Sequence, residues 1–209
     1  MNDLIIQRPT HANALCLLFH GVGASAASLQ GLGQQLAQWQ PKAIVVSVQA
    51  PHPADFSGGW QWFSVQGVTP DNRAARAAAA MPAFLQAVSG WQQETGLTPA
   101  QTTLIGFSQG AIMSLAASQQ AIAPAGRVVA LAGRFPQPPQ HAATGTQFHL
   151  LHGQADAVVP AQSSVDAQVQ LQALGAAVTL DLLPGLGHGV DAAMLQRLQA
   201  RLAAAATGA

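Results

Sequence analysis

The chain has 209 residues, 49% of them hydrophobic and only 8% charged, which excludes an intrinsically disordered polypeptide and fits one domain spanning 1–209. Eight basic side chains balance eight acidic ones without a run of either sign, and a single lysine, Lys42, with scattered arginines cannot build the cationic face that nucleic acid requires. One cysteine, Cys16, permits no internal disulfide, and no apolar run approaches the roughly 20 residues that span a bilayer. The start, Met1-Asn2-Asp3-Leu4, lacks the basic-then-apolar pattern of a signal peptide, so the expectation is a cytoplasmic protein without stable membrane insertion.

Strand-length apolar runs alternate with segments of helical period, the pattern of a mostly parallel sheet covered by helices on both faces. In chain order, the first strands are expected at 4–7 and 15–19, the second ending in the glycine turn His20-Gly21-Val22-Gly23. A helix at 28–39 and a strand at 44–48 follow. Residues 50–70 carry Phe56, Trp60, Trp62 and Phe63 among Pro, Gly and His; so aromatic a loop is expected to fold back over the domain, lining a site or capping the core edge. The long helix at 71–94 contains Pro82, which predicts a kink or a restart, and repeats Leu85, Val88 and Trp91 along one face. A strand at 103–107, a helix at 109–120 and a strand at 128–132 come next, then a Pro- and Gln-rich loop at 133–146. The last elements are a strand at 147–151, a helix at 161–174 stopped by Gly175, a strand at 178–182, and a helix with Val190, Met194, Leu198 and Leu202 on one face. No repeat or linker divides the chain.

Gly106-Phe107-Ser108-Gln109-Gly110 matches G-x-S-x-G. In a chain with 20 glycines the bare pattern is weak, but here it directly follows the apolar Thr103-Leu104-Ile105 and opens the helical Ala111-Ile112-Met113-Ser114-Leu115. That strand–turn–helix context predicts a nucleophile elbow with the hydroxyl of Ser108 exposed above the sheet. A serine merely capping a helix is the plainer alternative.

A serine hydroxyl needs a general base. Of seven histidines, His188 lies in Gly187-His188-Gly189, between the last strand and the last helix, where an open α/β sheet builds its site. His20 and His152 end strands and are expected to orient turns; His149 lies inside a strand. The acceptor for the imidazole is expected to be Asp156, in the loop after the sixth strand, with Asp181 as rival inside a strand pattern. The order Ser108, Asp156, His188 is that of α/β-hydrolases. Oxyanion donors are expected from the Gln109 amide and from the turn at Val22 or a neighbour. Cys16, in a buried-looking strand, is expected to be inert. No metal-ligand spacing and no phosphate loop occur, so no metal or cofactor is expected.

These residues together resemble the carboxylesterase/phospholipase family of α/β-hydrolases, which includes acyl-protein thioesterases and small bacterial esterases. The matching stretches are Leu18-Phe19-His20-Gly21-Val22-Gly23, Gln49-Ala50-Pro51, Trp62-Phe63, Gly106-Phe107-Ser108-Gln109-Gly110, His152-Gly153 with Asp156 and Val158-Val159-Pro160, and Gly187-His188. The resemblance implies an α/β-hydrolase domain without a large cap and hydrolysis of carboxylic esters, thioesters or lysophospholipids. It implies oxyanion donors at Val22 and Gln109, and substrate contact around Trp62-Phe63, with Trp60 nearby. Ser64 stands where the eukaryotic thioesterases often have an aspartate after Trp-Phe, and the stretch Gly58-Gly59-Trp60-Gln61-Trp62 looks closer to bacterial esterases. The reading is a serine carboxylesterase acting on a small-molecule ester. Its alternatives are a thioesterase or lysophospholipase with the same residues, or a hydrolase-like protein that binds a hydrophobic ligand without turnover. A homodimer is compatible with the sequence.

Overall fold

The computed structural model describes residues 2–56 and 58–204. Its strands and helices run in the order β1 (Leu4–Gln7), β2 (Ala14–Phe19), α1 (Gln30–Trp39), β3 (Ala43–Val48), β4 (His52–Pro53), β5 (Trp60–Gln61), α2 (Pro70–Thr95) and β6 (Thr102–Phe107). The second half continues α3 (Gln109–Ala117), β7 (Arg127–Leu131), β8 (Gln147–Gly153), α4 (Gln162–Ala173), β9 (Ala177–Leu183) and α5 (Ala192–Ala204).

Seven strands form one sheet in the order β1-β3-β2-β6-β7-β8-β9, antiparallel only where β1 meets β3. The chain moves outward from β2 to β3, then returns to the other side of β2 with β6. That reversal opens a crevice at the carboxyl ends of β2 and β6, where an open α/β sheet places its ligand site. This is an α/β-hydrolase fold without a large cap. Among the described residues no helix is long and apolar enough to cross a membrane.

The alternation of the strands decides which helix packs where. Successive side chains point to opposite faces. Leu15, Leu17 and Phe19 of β2, with Val46, Val48 and Leu104, meet α2 and α3. Cys16 and Leu18, with Val45, Ile105, Val129 and Leu131, meet Leu36 of α1 and Met194, Leu198 and Leu202 of α5. Ala111 and Leu115 of α3 pack with Val128, Ala130, Phe148, Leu150 and Leu171 on the first face. Both faces are thus sealed, which is why these strands read as continuous apolar runs.

Several boundaries differ from expectation. α2 runs unbroken through Pro82 and does not restart there. Pro82 removes one N–H, but Ala77, Ala80, Met81, Phe84, Ala87, Val88 and Trp91 are buried along the helix and hold it to the sheet on either side. Phe84 and Met81 replace Leu85 at the centre of that buried face. α3 ends at Ala117, three residues early, and α5 begins after Val190, which is exposed in the preceding loop. β8 extends to Gly153, so His152 is a strand residue and not a turn residue.

Residues 50–70 do fold back. β4 and β5 form a two-stranded ribbon, and the Trp62 ring sits 5.9 Å from Phe19 and 4.9 Å from Phe84 between ring centroids. Phe56 is exposed on the outer bend.

Candidate active site

β6 ends at Phe107 and α3 begins at Gln109, which leaves Ser108 alone in the turn. Its φ of 52° and ψ of −113° are a conformation that a side chain with a Cβ rarely adopts. The surroundings enforce it. The Ser108 N–H donates to the Leu131 carbonyl at 2.9 Å, and the Ser108 carbonyl accepts from the Ile112 N–H at 3.0 Å. A Cβ on Gly106 would stand 2.4 Å from backbone atoms of Gly110 and Ala111, and one on Gly110 would stand 2.0 Å from the Phe19 carbonyl oxygen. Only glycine fits either place.

The structure brings the three sequence-predicted side chains together. The Ser108 Oγ lies 2.9 Å from His188 Nε2, and His188 Nδ1 lies 2.7 Å from Asp156 Oδ2. With a carboxylate at Nδ1, the imidazole carries its hydrogen there and presents Nε2 as an acceptor to the serine hydroxyl. Phe107, the residue before the serine, packs 5.1 Å from the His188 ring between centroids. The Asp156 and His188 loops are laced together, since Gln154 N–H donates to Leu183 and Ala155 N–H to Leu186. Asp181, the rival acid, is held instead by Arg201 at 2.8 and 3.0 Å.

Asp156 is held in a defined ionisation state. Burial pushes its carboxyl up, but the hydrogen bond from His188 and the amides of Val159 and Val158 outweigh burial and hold it below the usual range. Those two amides reach Oδ1 at 2.9 and 2.8 Å. A second histidine also faces this carboxylate. His152 is fully buried, with Nε2 2.8 Å from the Val159 carbonyl and 3.2 Å from Asp156 Oδ2. Both neighbours are oxygens that only accept, so Nε2 carries a hydrogen; Ser164 Oγ occupies Nδ1 at 2.7 Å.

The turn after β2 faces the same point. A Cβ on Gly21 would stand 3.2 Å from the Ser108 Cβ. Gly23 N–H donates to the Trp60 carbonyl and Ala24 N–H to the Gly21 carbonyl, whereas the Val22 N–H has no protein acceptor among the described residues. Of the candidate amides in 22–24, Val22 is therefore the one left free for a ligand. His20 fixes the turn: Nδ1 donates to the Gly21 carbonyl at 2.8 Å and Nε2 accepts the Ala50 N–H at 3.1 Å. Burial pushes its basicity down, against the pull of the Gly21 carbonyl, which keeps the ring neutral for that pair of bonds.

The aromatic residues divide. Trp62 and Phe63 are buried, Trp62 in the core against Phe19 and Phe84 rather than open to a ligand. Trp60 is half-buried and bridges Ala24, next to the Val22 turn. Sequence reasoning missed how this loop is attached. The Gln109 side chain accepts the Trp62 N–H at 2.8 Å and donates to the Phe63 carbonyl at 2.8 Å. Asp55 gathers the Gln61 side chain, the Ser64 hydroxyl and the amides of Val65 and Gln66. Cys16 is buried, and burial pushes its thiol up to about 12, so it offers no thiolate. Among the described residues no three His, Cys, Asp or Glu side chains converge as metal ligands.

Comparison with known proteins agrees with this geometry. The family model described as Phospholipase/Carboxylesterase matches residues 1–206. The chain is 44% identical to Esterase YpfH of Escherichia coli (strain K12) over 196 residues, covering 93% of this chain and 84% of that one. Among solved structures, esterase PE8 superposes with a TM-score of 0.85 at 31% identity, covering 92% of this chain and 93% of its own. A Bacillus cereus carboxylesterase shares the fold with a TM-score of 0.81 at 15% identity, covering 97% of this chain and 93% of its own. The chain belongs to the phospholipase/carboxylesterase family and is a carboxylic ester hydrolase of the α/β-hydrolase fold.

Proposed function

We propose that the chain hydrolyses small carboxylic esters through an acyl-enzyme on Ser108, with His188 as general base and acid and Asp156 as its orienting carboxylate. The observation that carries this reading is the unbroken hydrogen-bonded line from Ser108 Oγ through His188 to Asp156, at 2.9 and 2.7 Å. In the first step His188 Nε2 takes the hydroxyl proton as Ser108 attacks the ester carbonyl. Asp156 stabilises the imidazolium that forms, and its own proton affinity is already held low by the two loop amides. The carbonyl oxygen becomes an oxyanion between the free Val22 N–H and the Gln109 N–H at the start of α3. His188 then gives its proton to the departing alcohol, and water activated by the same nitrogen releases the acid. Trp60, beside the Val22 turn, forms a wall of the substrate cleft; Trp62 and Phe63 support that wall from behind.

Stopped-flow hydrolysis of p-nitrophenyl butyrate tests the reading. A burst of nitrophenol equal to the enzyme concentration is expected, as is a fall in kcat on the order of 10⁵-fold in Ser108→Ala. Wild-type turnover in Ser108→Ala would overturn it.

A further inference from the structure

Near the carboxyl edge of the sheet, two cations stand without a direct ion pair among the described residues, Arg134 and Arg73. Arg134 leaves the sheet just after β7, beside the elbow: a Cβ on the preceding Gly133 would stand 2.4 Å from the Ala111 Cβ in the first turn of α3. Arg73 lies in the first turn of α2. Burial first, and then the like charge of Arg73, push the Arg134 guanidinium's basicity down, while Asp156 acts the other way. Both Arg73 and Asp156 are therefore within electrostatic reach of Arg134.

Three other arginines have partners, whereas the Arg127 Nε is also buried without one but lies at the start of β7, away from the depression that Arg73 and Arg134 line. Arg8 pairs with Glu94 and Arg201 with Asp181, and Arg76 donates to the carbonyls of Ser64 and Gln66. Among the described residues the side chains of Arg73 and Arg134 have no protein acceptor, and the Arg134 Nε is buried without one. Two unfavourable features coincide, like charges lining one depression and a buried donor left unpaired, while Asp71 in the first turn of α2 already offsets the cation at that helix end. An anion between the two guanidiniums removes both. The space exists, because Arg73, Arg134, Pro70 and Ser163 line a depression of about 290 Å³. Pro70 is the first residue of α2, so the positive end of that helix faces the same depression. Asp166 stands on its rim, exposed and bonded to Gln162, and opposes an anion only weakly through solvent. Phe135 and Pro136 continue the depression into an apolar groove of about 480 Å³ between α2 and α3.

We propose that Arg73 and Arg134 form an anion subsite, and that the ester cleaved at Ser108 carries an oxyanion group, a carboxylate or a phosphate, that docks between them. The proposal rests on the esterase reading for its substrate, but the subsite itself is tested by binding alone. Calorimetric titration of the full chain with glutarate and with inorganic phosphate should show saturable binding of at least one. That binding should disappear in Arg73→Gln/Arg134→Gln, persist in Arg73→Lys/Arg134→Lys and tighten in Asp166→Asn. Glutarate binding assigns a carboxylate-bearing ester, and phosphate binding a phosphate-bearing one. In turnover, kcat/KM for mono-p-nitrophenyl glutarate relative to p-nitrophenyl butyrate should fall about tenfold or more in the double glutamine variant. Arg73→Gln alone, a half-buried surface change, should lower the same ratio severalfold and serves if the double variant does not fold. Anion binding without hydrolysis of either ester would sink the esterase reading and leave the subsite standing. Absence of binding by both anions, or an unchanged ratio in a folded double variant, would overturn the subsite.

Discussion

The elbow around Ser108 and the aromatic loop at 50–70 meet at one residue, Gln109, yet they are held by opposite means. The elbow is fixed by backbone: a β-strand, a helix and two glycines leave its turn no alternative path. The loop has little regular structure beyond its short ribbon and is held by side chains, one from within it and one from far along the chain. Gln109 spans 47 residues to the Trp62 amide, and Asp55 collects four donors from 61–66. For the nucleophile proposed at Ser108, backbone constraint supplies a geometry that does not relax. The wall proposed to face substrate can be rebuilt by changing a few side chains without disturbing the sheet.

Substitutions on the two sides should therefore fail differently. Gly110→Ala forces a Cβ onto the Phe19 carbonyl, where backbone meets backbone and neither can move aside. It is expected to cost about 4 kcal/mol or more, read as loss of cooperative urea unfolding. Trp62→Ala empties the space against Phe19 and Phe84 and should cost about 3–5 kcal/mol by the same measurement. Gln109→Ala strands a buried N–H and a buried carbonyl, so about 2–4 kcal/mol is expected. Because the Gln109 N–H remains, this variant should retain the stoichiometric nitrophenol burst; complete loss of the burst in folded protein would show that the clamp and the elbow are one unit.

Much of this contrast was legible in the sequence. The elbow could be read because each requirement is local: an apolar run, glycines two residues either side of a serine, a helical continuation. The convergence of His188 and Asp156 on Ser108 could be read because strand ends meet at one edge of an open sheet. The loop's aromatics were visible, but their directions were not. Trp62 turned into the core because Phe19 and Phe84 offer a ring-lined space, and nothing near it in sequence announces partners 43 and 22 residues away. The Gln109 and Asp55 clamps and the second histidine on Asp156 are long-range or side-chain-specific contacts and left no periodic trace. Pro82 misled in the other direction, since tertiary packing of α2 outweighs one lost hydrogen bond.

The smallest effect expected concerns pH. Asp156 has its carboxyl depressed in the folded chain, so it contributes stability above the ordinary aspartate value of about 3.9. That contribution is lost as pH falls through the lower folded value. Asp156→Asn should therefore flatten the acid limb of a stability–pH profile measured by urea unfolding, while Asp55→Asn, exposed on the loop, should alter it less. A steeper acid limb in Asp156→Asn would contradict the assignment of its amide and His188 bonds to the carboxylate.

The most direct test of the central claim is to treat the protein with a fluorophosphonate, then locate the adduct by peptide mass. The account predicts stoichiometric label on Ser108, abolished in Ser108→Ala and strongly slowed in His188→Ala. A folded wild-type protein that takes no label, or takes it at another residue, would contradict it.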